Sequence, residues 1–144
     1  MLYYLTVVDI VYVTLVIFYL QMECCMNIKQ SSETLNIDLL KGYLDTLSKG
    51  MLEKMYELYG QQAPIYLANI NNAIIENSDI LWKESCHKMK GAAASVGLMT
   101  LHSQLVALEK INATTEEKIK ILSDLTEENT KAMKVFEHWL STVI

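Results

Sequence analysis

The chain has 144 residues, 51% of them hydrophobic, with 17 acidic against 12 basic side chains for a net charge of −5. That length suits one domain of about 100–150 residues plus an appendage, and the acid excess argues against a nucleic-acid binder, which needs clustered cations to neutralise phosphates. Five Gly and one Pro exclude collagenous designs, and three Cys are too few for a disulfide framework or zinc ribbon, so the chain reads as reduced and intracellular.

Composition divides the chain into a hydrophobic N-terminal segment, 1–27, and a helical domain, 28–144. From Leu2 to Met22 the apolar run is broken by one carboxylate, Asp9. As a helix rising about 1.5 Å per residue it would just cross a hydrocarbon core of roughly 30 Å. Lys29 and Lys41 would then leave the remainder cytoplasmic, at the inner face of the cell membrane. The segment lacks the basic start and cleavage site of a signal peptide. Asp9 is costly in lipid, however, and the many β-branched residues suit a buried strand as well. Three readings stay open: a membrane anchor, a remnant of a larger parent chain, and a packed N-terminal element.

The rest reads as helix. Residues 36–47 form a short amphipathic piece with Asn36 or Asp38 as cap. Residues 51–76 place Leu52, Met55, Tyr59, Leu67, Ile70 and Ile74 at helical spacing, with Pro64 marking a kink or break. Asn77-Ser78-Asp79 is a turn and cap cluster, and a helix from about Ile80 to Val96 ends at Gly97, a natural C′ residue. Leu98, Leu101, Leu105 and Leu108 mark the next helix. Thr114 with Glu117 is a capping-box signature opening the last one, where Ile119, Leu122, Met133, Phe136, Leu140 and Val143 share a heptad register. Glu116 with Lys120 and Glu127 with Lys131 are favourable pairs on its wet side. Several amphipathic helices with short links predict an all-α antiparallel four-helix bundle with extra short capping helices.

The informative residue is His87. On its helix Trp82, Cys86, Met89, Ala93 and Val96 follow 4-3-4-3 spacing and define the buried stripe. His87, about 100° from Cys86, must face outward. One turn away on that face lie Lys83, Lys90, Gly91 and Ala94. Glycine inside a helix costs about 1 kcal/mol relative to alanine, so Gly91 asks for a reason, and close approach of another surface is one. An accessible imidazole can attack phosphorus, and Lys90 can pair with the phosphoryl charge that results. Helix geometry alone also fits an ordinary histidine at the rim of a bundle.

The string Cys86-His87-Lys88-Met89-Lys90-Gly91-Ala92-Ala93-Ala94-Ser95-Val96-Gly97-Leu98 resembles the signature of histidine-phosphotransfer (HPt) domains, most like those of Arc-type hybrid sensor histidine kinases. The likeness extends more weakly from about Leu35 to Ile144. It implies a four-helix bundle that passes phosphoryl groups between aspartates of receiver domains in two-component signalling. His87 would be the phosphoacceptor, through Nε2, and Lys90 would stabilise the phosphoryl charge. Lys83, Gly91 and Ala94 would form the docking surface. The resemblance implies no cofactor on this chain, since the receiver supplies Mg²⁺. Several family members carry a Gln at the position of Glu109. A carboxylate there can orient the imidazole from behind, yet it disfavours a nearby phosphoryl dianion.

Other candidates are weaker. His102 beside the leucine stripe and His138 between Phe136 and Trp139 suit structural roles, Cys86 on the buried stripe reads as inert, and nothing has metal-ligand spacing. The chain has no P-loop and no G-x-G-x-x-G motif, so it is not a stand-alone ATP-dependent kinase, though it could be one end of a hybrid sensor kinase. The competing function is a helical interaction module that docks receiver-like partners without phosphotransfer.

Overall fold

The computed structural model describes the backbone of residues 7–143 and the side chains of 12–23 and 33–143. It forms two compact units, Met1–Gln30 and Ser31–Ile144. In the first, helix α1 begins at Val7 and runs on to Thr34, so the strand expected as one option is not formed. Its side chains from Tyr12 to Glu23 are all exposed. Among the described residues no helix is long and apolar enough to cross a membrane. Residues 2–6 of the apolar run, and the side chains of 7–11, lie outside the described residues.

The second unit continues with α2 (Ile37–Thr46), α3 (Lys49–Ile75), α4 (Asp79–Ser95), α5 (Met99–Glu109) and α6 (Thr115–Thr142). Links of a few residues force consecutive helices to turn back on one another. Around the bundle α3 packs on α4, α4 on α5, α5 on α6, and α6 closes on α3, while α2 leans on α3 as a cap. Among the described residues there is no strand; Leu35 and Leu98 form an isolated antiparallel bridge.

Local chemistry explains the boundaries. Asn36, rather than Asp38, caps α2, its side chain accepting from the Leu39 amide at 3.1 Å. Ser48 and Ser78 cap α3 and α4 in the same way. Helix α4 stops at Gly97, whose φ of +72° suits the left-handed C′ position. The amides of Gly97 and Leu98 then close on the carbonyls of Ala94 and Ala93. A Cβ on Gly97 would stand 3.3 Å from Leu40 Cγ and Cδ2, so the turn is also where α2 packs closely. The Asn36 amide donates to Gly97 O at 2.8 Å and the Tyr43 hydroxyl to Ser95 O at 3.0 Å, which pins α2 to the end of α4. Thr114 and Glu117 form the reciprocal capping box at the start of α6.

Three expectations need correction. Pro64 does not break α3, which is continuous through it. Proline removes the amide that would bond the Gly60 carbonyl; both residues are exposed, so water can take that partner's place. On α6, Ile119 is 56% exposed. Phe136 and Leu140 are buried as expected, and Leu122, Met133 and Val143 pack against the core, but the buried seam also takes in Lys118, Leu125, Asn129, Ala132 and Trp139, whose polar members find partners across the bundle. Lys118 Nζ bonds Asp79 Oδ1 at 2.7 Å and lies 5.2 Å from the centre of the Trp82 ring. Asn129 Oδ1 accepts from the buried Tyr59 hydroxyl at 2.8 Å, and burial raises the pKa of that hydroxyl well above its ordinary value. Finally, Glu116–Lys120 and Glu127–Lys131 make no ion pair, and exposed pairs of this kind are worth only about 0.3–0.5 kcal/mol.

Candidate functional site

Helix α4 carries two faces, as its periodicity requires. Trp82, Cys86, Met89, Ala93 and Val96 are all buried, joined by Ser85. Desolvation pushes the Cys86 thiol up to about 12, which keeps it protonated and inert. The opposite face carries His87, whose side chain is 66% exposed. Lys83, Gly91 and Ala94 are exposed beside it.

The ring is held from behind by α5. His87 Nδ1 lies 2.9 Å from Glu109 Oε1, and Lys90 Nζ lies 2.5 Å from Glu109 Oε2. One carboxylate therefore bridges the histidine and the lysine, joining α4 to α5. The Lys90 hydrogen bond foremost, with a smaller contribution from His87, holds the Glu109 carboxyl below its ordinary range, against a partial opposing effect of desolvation. An ionised carboxylate only accepts, so Nδ1 must carry the hydrogen and donate it. In a neutral ring the lone pair then belongs to Nε2, turned away from Glu109.

All the residues expected at the site thus come together, with one change of role. Lys90 is beside His87 as expected, but its ammonium is engaged with Glu109 rather than open to solvent. The bridging role of Glu109 is more than an orienting contact to the imidazole. Its signal in the sequence was a carboxylate directly after the leucine stripe of α5. His102 is half-buried and His138 exposed, and neither joins the site. Among the described residues no group of three or more His, Cys, Asp or Glu could hold a metal ion.

The site is thus an exposed imidazole on one helix of a four-helix bundle, oriented by a side chain of the next. The Hpt domain family model matches residues 54–140, and the chain belongs to that family. Among solved structures it is similar to the histidine-containing phosphotransfer domain of ArcB from Escherichia coli. That match has 22% identity and a TM-score of 0.70, and covers 78% of this chain and 97% of the other. A solution structure of the same domain of the anaerobic sensor kinase ArcB gives 22% identity and a TM-score of 0.66, covering 76% and 89%. No curated protein sequence matches.

Proposed function

We propose that the protein is a phosphorelay carrier that accepts a phosphoryl group on His87 from a receiver-domain aspartate and passes it to another receiver. The observation that carries this reading is the exposed ring whose Nδ1 is tied to Glu109, which leaves Nε2 facing outward. The Nε2 lone pair attacks phosphorus as the bond from phosphorus to the aspartyl oxygen breaks. The electron pair of that bond leaves with the carboxylate, and an N–P bond forms. No proton has to move. Nδ1–H stays on the ring, held by Glu109, while Lys90 is within one turn to meet the phosphoryl oxygens. Meeting them requires Lys90 to loosen its hold on Glu109. Gly91 and Ala94 keep the approach to the ring low, and Lys83 belongs to the surface on which a receiver would dock. The Mg²⁺ used in the exchange is assigned to the receiver, and this chain is assigned no cofactor. Its family membership also suits a place within a hybrid sensor kinase.

The test is incubation with a phosphorylated receiver. Label should pass to this chain as an acid-labile, base-stable phosphoramidate, and His87→Gln should remove it. Lys90→Ala should slow transfer without unfolding the bundle, because its side chain lies outside the buried seam. Label persisting on His87→Gln would overturn the assignment, and docking that survives His87→Ala with no exchange would favour a binding module instead.

A further inference from the structure

A cavity of about 320 Å³ opens between the start of α4 and the link from α5 to α6, lined by Asp79, Trp82, Lys83, Lys110, Ile111 and Asn112. Lys83 and Lys110 are exposed and neither makes an ion pair. The one carboxylate in the lining, Asp79, is bonded to Lys118, chiefly through which its pKa is lowered, with a smaller contribution from the charge of Lys83. Two ammonium groups and Asn112 therefore line a cavity that holds a single carboxylate, itself bonded to Lys118. Trp82 forms a rigid floor: its side chain is 1% exposed and its indole N–H donates to Leu108 O at 2.9 Å. Ile111, 41% exposed, supplies an apolar lip.

The position of this cavity matters as much as its charge. Lys83 lies one turn before His87 on the same face of α4, and Lys110 directly follows Glu109, which holds the imidazole. The cavity thus adjoins the phosphoacceptor, on the opposite side of it from the low strip of Gly91 and Ala94. The chain as a whole carries a charge of −5, so its net field opposes the approach of an acidic protein. Yet any protein that presents an aspartyl phosphate to His87 is anionic at the point of contact. We infer that the Lys83–Lys110 cavity is a second recognition site, which takes an acidic side chain of the docking receiver and so orients it over His87. This rests on the phosphorelay reading and adds to it where the partner's charge is bound. A carboxylate suits the cavity because two ammonium groups and an amide can share its two oxygens.

The experiment compares two donors on the full chain. One is a phosphorylated receiver; the other is potassium phosphoramidate, a small donor that needs no docking and releases ammonia as the N–P bond to His87 forms. The double reversal K83E/K110E should lower kcat/KM with the receiver by about tenfold at low salt and flatten its dependence on ionic strength. Labelling by phosphoramidate should stay within about twofold of wild type, since rim charges act on docking rather than on the acceptor. The neutral K83Q/K110Q should fall between, and K131E, outside the cavity lining, should behave as wild type. An unchanged receiver rate in K83E/K110E overturns the inference. So does an equal loss with both donors, because the lysines would then act on His87 or on the fold. Failure of the wild-type chain to take label from either donor would instead overturn the phosphorelay reading.

Discussion

Gly91 offers a direct test of whether the face around His87 is shaped for a partner or for the fold. A Cβ built at this position meets nothing within 4 Å, and the backbone there is not in the left-handed region. No feature of the bundle therefore requires glycine. Alanine is better than glycine inside a helix by about 0.8–1.0 kcal/mol, with leucine nearly as good. Gly91→Ala should raise stability by about 1 kcal/mol, which for a unit of this size raises Tm by about 3–6 °C. Gly91→Leu should be almost as stable. Their transfer rates should separate, because in-line attack requires the aspartyl phosphate to come within about 3–3.5 Å of Nε2. An alanine methyl scarcely raises the strip, whereas a leucine one turn from the ring holds the partner back. Since a misplacement of about 1 Å can cost on the order of a hundredfold, Gly91→Leu should lose that much in receiver transfer. Labelling by phosphoramidate should remain. Thermal unfolding and single-turnover transfer from a phosphorylated receiver measure both sides. A Gly91→Ala variant less stable than wild type, or a Gly91→Leu variant that transfers normally, would refute the reasoning.

Other substitutions test the remaining parts. Glu109→Gln keeps an acceptor for His87 Nδ1–H but removes the charge that engages Lys90 and opposes a phosphoryl dianion. The phosphorylated fraction of His87 at equilibrium with a receiver should rise severalfold, and an unchanged or smaller fraction would contradict this role. Gly97→Ala, at φ +72° and with Leu40 3.3 Å from the new Cβ, should cost about 1–2 kcal/mol of backbone strain, or more with the crowding. Denaturant unfolding that shows no change would mean the α4–α5 turn relaxes freely. Tyr59→Phe leaves the buried Asn129 without its donor and should cost about 1–3 kcal/mol. Pairing it with Asn129→Leu should recover part of that loss, and strictly additive costs would deny the coupling.

What the sequence determined by itself is whatever depends on neighbours within a turn or two. The Gly97 stop, the Thr114–Glu117 box and the buried stripe of α4 each follow from residues a few positions apart, and the same helical period turns His87 to solvent. The resemblance around His87 is local too, carried by one stretch of α4 and the turn after it. Only the tertiary structure decided which helix stands behind the ring, since Glu109 is 22 residues from His87 and 19 from Lys90 along the chain. The polar members of the α6 seam were hidden for the same reason. Lys118 and Asn129 can be buried because Asp79 and Tyr59, 39 and 70 residues away, satisfy them in the interior. A buried polar group is stable only with its partner in place, and pairings over such separations are made by the packing of helices, which periodicity along one helix does not encode.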